Sequence, residues 1–144
     1  MKIRALVVDD SRSMRRIVMK GLKHSKLAEF EFTEAVDGQD ALDKFDPNEY
    51  DIVFIDWNMP KMNGIDFVRE IRKSKDNKHV RLVMVTSNKT MDFVTEALDE
   101  AGANGFISKP FTPKDMRNKL EEVIGGVVEH KKKTQSLMGK IFGR

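Results

Sequence analysis

Five polar residues, Asp9, Asp10, Asp56, Thr86 and Lys109, close four short apolar runs of this chain. Carboxylates gathered in a hydrated pocket repel one another, and a charge within a few ångströms typically shifts a carboxyl pKa by about 1 to 3 units. Such a pocket calls for a cation. Mg2+ suits it, since this ion is held by one or two carboxylates, several waters and a phosphate oxygen. Lys109 would add a second positive charge and Thr86 a neutral donor, both aimed at phosphoryl oxygens. One aspartate is then left to act as nucleophile and form an acyl phosphate. Taken singly, each residue has a plainer reading: Asp10 or Ser11 as a helix cap, Thr86 as a strand-end hydroxyl, Lys109-Pro110 as a loop pair. The signal lies in their conjunction.

The elements that must position them are legible from periodicity. Ala5 to Val8, Ile52 to Ile55, Leu82 to Val85 and Phe106 to Ile107 are short, mostly β-branched and without polar alternation, as expected of strands buried on both faces. A further strand is expected near Phe30 to Ala35. Between the strands, apolar residues recur at helical spacing. Met14, Ile17, Val18, Gly21 and Leu22 follow Ser11, a candidate N-cap; Ala41, Leu42 and Phe45 precede Pro47; Phe67, Val68 and Ile71 follow the turn-rich loop from Trp57 to Gly64. Val94, Ala97, Leu98 and Ala101 stop at Gly102, and Met116, Leu120, Val123 and Ile124 mark a fifth helix. Alternation of strand and helix favours an α/β fold with a parallel sheet covered by helices. Ligands bind such sheets beyond the carboxyl ends of the strands, where all five polar residues fall.

Composition narrows the rest. With 144 residues and 16.5 kDa the chain fits one domain with a real core, and a second folded domain would not fit. There is no cysteine, hence no disulfide and no thiolate metal site. No apolar stretch approaches the roughly 20 residues of a membrane-spanning helix, and Met1-Lys2-Ile3-Arg4 runs straight into the first strand without a cleavable signal. The expectation is a soluble cytoplasmic protein. The net charge of +3 is concentrated in residues 126–144, where Lys131, Lys132, Lys133, Lys140 and Arg144 face one acidic residue, Glu129. The rest of the chain is close to neutral, which argues against a nucleic-acid-binding domain. His24, His79 and His130 are expected at the surface.

Val7-Val8-Asp9-Asp10-Ser11, Ile55-Asp56-Trp57-Asn58-Met59-Pro60 with Gly64, Val85-Thr86-Ser87 and Ser108-Lys109-Pro110-Phe111 together resemble the receiver domain of bacterial response regulators. The resemblance spans about residues 3 to 125, and Asp-Trp-Asn-Met-Pro and Lys-Pro-Phe-Thr are most similar to the stand-alone chemotaxis members. It implies a doubly wound, flavodoxin-like sheet of five parallel strands in the order 2-1-3-4-5 with five helices. It further implies that Asp56 is the phosphoacceptor, charged by a sensor histidine kinase or by small donors such as acetyl phosphate. Mg2+ would be held by Asp10, Asp56 and the backbone carbonyl of Asn58, with Asp9 acting mainly through water. Thr86 and Lys109 would bond phosphoryl oxygens, and the Lys109-Pro110 peptide would be cis. Phe106 falls at the switch-aromatic position, as Phe and not Tyr, so it has no hydroxyl to hydrogen-bond. Asn58 and Asn88, two residues after Asp56 and Thr86, fall where side chains tune the lifetime of the acyl phosphate; two neutral amides imply seconds to minutes.

Residues 1–125 would then form the receiver domain and residues 126–144 a basic tail, flexible or a short helix. Without an effector or DNA-binding domain, output would pass through the surface of the fourth helix, fifth strand and fifth helix to the flagellar motor switch or another partner, with Lys89, Phe93, Phe106, Lys114 and Lys119 as candidate contacts. A phosphorelay intermediate and a phosphorylation-independent adaptor remain as alternatives. In the tail, Leu137, Met138, Ile141 and Phe142 form an apolar stripe if helical, weakened by Gly139 and Gly143. Such a stripe could dock an acidic partner or touch a membrane or nucleic acid, while a disordered tail is the plainer reading.

Overall fold

The computed structural model describes residues 1–87 and 90–141. Five strands, β1 (Lys2–Val8), β2 (Glu29–Ala35), β3 (Ile52–Asp56), β4 (Arg81–Thr86) and β5 (Gly105–Ser108), form one sheet in the order β2-β1-β3-β4-β5. Every pairing is parallel, with Val8 opposite Ile55 and Asp56 opposite Val85 in register. All five strands therefore end at the same edge. The central strands are buried residue after residue, which is why their sequence shows no polar alternation. β2 lies at an edge and alternates, its glutamates outward, so it is the faintest strand in the sequence.

Helices cover both faces. Ile3, Ala5 and Val7 of β1 pack with Val18 and Leu22 of α1 (Arg12–Ser25) and with Met116, Leu120 and Val123 of α5 (Pro113–Ile141). Leu6 and Val8 point the other way, toward Ala41 of α2 (Gly38–Lys44), Phe67, Val68 and Ile71 of α3 (Gly64–Arg72), and the fourth helix. Polar caps fix the helix starts: Ser11, Asp37, Asn63 and Thr90 each accept from the backbone N–H three residues on.

The fourth helix, α4, is α-helical only over Met91–Thr95 and widens into a π-helical turn over Glu96–Ala101, ending at Gly102 with φ 96°. The sequence spacing marks a single helix here; the wider turn leaves the same apolar residues inward. Ile17, placed on the apolar spacing of α1, is 49% exposed. The larger difference is α5, which continues without a break through Gly125 and Gly126 to Ile141. The change in charge at residue 126 therefore does not coincide with the end of an element. Among the described residues no helix is long and apolar enough to cross a membrane.

Candidate functional site

Because the strands are parallel and in register, the residues that follow their apolar runs meet at one edge. Asp9 comes directly after β1, Asp56 ends β3, Thr86 ends β4 and Lys109 follows β5. Carboxylate oxygens of Asp9, Asp10 and Asp56 lie within 4.8 Å of one another. Asp9 and Asp56 are buried and Asp10 is exposed, so the cluster is a mouth with a buried floor.

Lys109 spans that floor. Its Nζ donates to Asp56 Oδ1 at 3.0 Å and to Asp9 Oδ2 at 3.4 Å, and its backbone N–H donates to the Thr86 carbonyl at 2.8 Å. The ammonium thus stands between two carboxylates that would otherwise repel. The Lys109–Pro110 peptide is cis. The Thr86 side chain is buried beside this contact, at the end of β4 and opposite Ser108.

Burial pushes the Asp9 carboxyl above its ordinary value of 3.8; the Ser11 N–H opposes this, the charge of Asp56 adds to it, and Lys109 again opposes. Ser11 N–H donates to Asp9 Oδ1 at 2.8 Å, while the Ser11 hydroxyl accepts from Met14 N–H at 3.2 Å. Ser11 is therefore the cap of α1 and Asp10 is not. One cation leaves the three-carboxylate set unbalanced, and its all-oxygen donors suit a hard divalent ion such as Mg2+.

Gly64 sets the wall beside Asp56. Its N–H donates to the Trp57 carbonyl at 2.9 Å, and a Cβ there would collide with the Asp56 backbone oxygen and with Met84. Trp57 lies half-buried, its ring 4.6 Å from that of Phe93 on α4. Its Nε1 is buried without a hydrogen-bond partner among the described residues. The indole therefore joins the segment bearing Asp56 directly to α4. Asn58 is exposed next to the site, whereas Asn88 and Lys89 lie outside the described residues.

On the neighbouring surface Phe106 is half-buried, with Lys119 Nζ 5.4 Å from its ring centroid. A groove of about 360 Å3 runs along Phe106, Pro110, Asp115, Asn118, Lys119 and Glu122. Lys114 is exposed. Phe93 is only 5% exposed, so in this conformation it is part of the interior and not of the contact surface that the sequence suggested.

Arg15 is the residue that sequence reasoning missed. It is buried, donating from Nη1 to the Asp9 carbonyl at 2.6 Å and from Nε to Glu34 at 2.9 Å. The signal was present: Arg15 stands three residues before Val18 and seven before Leu22, so helical spacing places this cation on the buried face of α1.

The match to known proteins is consistent with this geometry. The model of the response regulator receiver domain matches residues 5–121. Chemotaxis protein CheY1 of Helicobacter pylori is 41% identical over 124 residues, covering 85% of this chain and 98% of that protein. Chemotaxis protein CheY-3 of Vibrio cholerae is 39% identical over 121 residues, covering 84% and 91%. Among solved structures, chemotaxis response regulator CheY4 of Vibrio cholerae superposes with a TM-score of 0.75 at 31% identity, over 85% of this chain and 99% of that one. With four parallel strand ends delivering the acidic cluster, the lysine and the threonine to one edge, this chain belongs to the response regulator receiver domain family.

Proposed function

We propose that this protein is a cytoplasmic, Mg2+-dependent phosphoacceptor of a two-component system, acting in chemotaxis, with Asp56 as the residue that takes the phosphoryl group. The observation that carries the reading is the contact of Lys109 Nζ with both Asp56 and Asp9 inside a cluster of three carboxylates. A second cation and an incoming anion complete that set. Asp9, Asp10, Asp56 and the Asn58 carbonyl would hold Mg2+, which when bound neutralises charge on the carboxylates and on the phosphoryl oxygens.

The chain's own groups then perform the transfer. An Asp56 carboxylate oxygen attacks phosphorus of the donor, a phosphohistidine of a sensor kinase or acetyl phosphate. The bond from phosphorus to the donor breaks, and the leaving group keeps the electron pair. Lys109, already 3.0 Å from Asp56, follows the negative charge from the carboxylate onto a phosphoryl oxygen. The Thr86 hydroxyl bonds another, which draws the end of β4 toward the site. The same groups hold the acyl phosphate for water to attack at phosphorus, so the protein releases its own phosphoryl group and regains the Asp56 carboxylate, with the exposed Asn58 next to the site.

Output follows from how these movements reach the surface. Thr86 and Phe106 sit on neighbouring strands, with Met84 opposite Phe106 in register. A shift of Thr86 therefore changes the space into which the Phe106 ring can pack. The exposed half of that ring lines the groove between β5 and α5, and the equilibrium between its two packings sets partner affinity there. The partner is the flagellar motor switch or another output protein. Intact-mass measurement after incubation with acetyl phosphate tests the reading. One phosphoryl adduct that requires Mg2+ and is lost in Asp56→Ala is expected; an adduct that persists in Asp56→Ala, or none in the wild type, refutes it.

A further inference from the structure

The side of α5 that packs on the sheet does not end where the sheet does. Met116, Leu120, Val123 and Val127 are buried, and their spacing of four, three and four residues continues through His130, Thr134 and Leu137. At about 100° per residue these positions, with Met138, fall within an arc of roughly 100° on one side of the helix. The covered stripe is thus carried past the domain. Leu137 is 58% and Met138 48% exposed there. Phe142 lies outside the described residues.

Between this overhang and the N-terminal edge of the sheet lies a notch. Two recesses open into it, of about 490 Å3 and 460 Å3, and both are lined by Lys131 and Gln135. Thr134 lines the first, so the stripe faces the sheet edge and not away from it. Met1, itself 54% exposed, lines the second with Lys2 and Lys132. Met1 thus borders this notch, while Leu137 and Met138 line neither recess; Met138 lies one helical turn beyond Thr134 and two beyond Lys131.

The charge there is one-sided. Arg4, Lys2, Lys131 and Lys132 stand around the recesses, and Asp51 is the carboxylate in their linings. Asp51 is already occupied: Oδ2 accepts from Arg4 N–H at 2.8 Å and lies 3.3 Å from Lys131 Nζ, and Oδ1 lies 3.4 Å from Arg4 Nη2. Lys2 reaches Glu31 at 3.6 Å, both groups well exposed, which holds it weakly. Lys132 has no carboxylate partner among the described residues.

Shape and charge together select the occupant. A planar lipid surface would meet the body of the domain before it reached Leu137, because both lie on the same side of the helix. A second copy would set Lys131, Lys132 and Lys133 against their own kind. A slender acidic chain meets neither obstacle. We propose that this notch docks an acidic amphipathic segment of a partner protein, with its apolar side chains on Met1 and Met138 and its carboxylates on Lys2, Lys131 and Lys132. The surface lies at the opposite end of the strands from Asp56 and works whether or not that residue carries a phosphoryl group.

The test is titration calorimetry of the full chain with two synthetic peptides of about four helical turns. Both carry Leu at i, i+3, i+4 and i+7; one has Glu and the other Lys at the remaining positions. The acidic peptide should bind, with NMR shifts concentrated at Met1, Lys2 and Met138. Met138→Glu and, independently, Lys132→Glu should each weaken it roughly tenfold, while Asp56→Ala binds it unchanged. Equal binding of both peptides, shifts elsewhere, or no binding would overturn the proposal. So would capture of the protein by phosphatidylserine vesicles, or self-association, that competes with the peptide.

Discussion

Asp9 carries the electrostatic tension of the site. It is buried beside Asp56, and burial holds its carboxyl above 3.8. A raised folded-state value means that its stabilising contribution is complete below about 3.8 and is lost as pH rises through that value. At neutral pH the ionised Asp9 therefore costs stability. Asp9→Asn keeps an acceptor for the Ser11 N–H and removes the charge, so the metal-free protein should gain roughly 0.5–2 kcal/mol at pH 7 by urea denaturation. The same variant should lose most of the stabilisation that Mg2+ gives the wild type. A variant less stable than wild type without metal would show that the Asp9 charge is needed by Lys109 more than it is resisted by burial. The five polar residues could be read from sequence because each is fixed by a strand end. The clamp of Arg15 on Asp9 was not, since a cation on a helix is ordinarily solvated and only its position on the buried stripe distinguishes it.

At the scale of elements, α5 is the least obvious from sequence. Gly125 and Gly126 each disfavour a helix by about 1 kcal/mol relative to alanine, yet the helix runs through both. Tertiary contact overrides propensity here: a Cβ at Gly126 would overlap the guanidinium of Arg81, whose Nε is buried without a hydrogen-bond partner among the described residues, whereas Gly125 has open space. Gly125→Ala should therefore raise stability by up to about 1 kcal/mol. Gly126→Ala should gain less than Gly125→Ala, or lose up to about 1 kcal/mol, because the Arg81 guanidinium must move aside. Thermal unfolding of both variants distinguishes the two, and equal gains would mean that Arg81 does not set the close approach.

The histidines of this region, expected at the surface, are half-buried there and line its recesses. His79 and His130 stack with centroids 4.0 Å apart, and His79 Nε2 lies 2.8 Å from the Pro47 carbonyl. Burial, then the charge of His79, holds the His130 ring below 6.5, with Lys131 and Arg81 adding to the effect and Asp51 opposing it. Burial also opposes ionisation of Asp51, but hydrogen bonds from Arg4 and the charge of Lys131 outweigh it and hold its carboxyl below 3.8. Both groups act in the same direction. The contribution of His130 is present above about 6.5 and lost as pH falls through its folded value, and that of Asp51 is lost further down, below 3.8. Intrinsic-rate-corrected amide exchange over residues 128–135 should accelerate between pH 7.5 and pH 5.5 and not do so in His130→Phe. Exchange independent of pH would remove the stack as a contributor.

Over the whole molecule, one parallel sheet separates two sets of functional groups. Its C-terminal edge gathers the carboxylates, Lys109 and Thr86, and its N-terminal edge meets the basic overhang of α5. The sheet order, the two covered faces and the converging site follow from alternation of strand and helix and from the resemblance to receiver domains. The π-helical turn of α4, the burial of Phe93 and the reach of α5 depend on contacts between segments distant in sequence, which periodicity does not encode. Phe93 matters most, because its packing on Trp57 ties the segment bearing Asp56 to α4. Trp57 is the sole tryptophan, so its emission reports the site and its link to α4 together. The direct measurement is Trp57 fluorescence through a Mg2+ titration and then on addition of acetyl phosphate. Phosphoryl acceptance at Asp56 requires a metal-dependent change followed by a second, Mg2+-requiring change that Asp56→Ala abolishes. A second change that survives in Asp56→Ala, or a wild-type signal that stays flat through both additions, would contradict it.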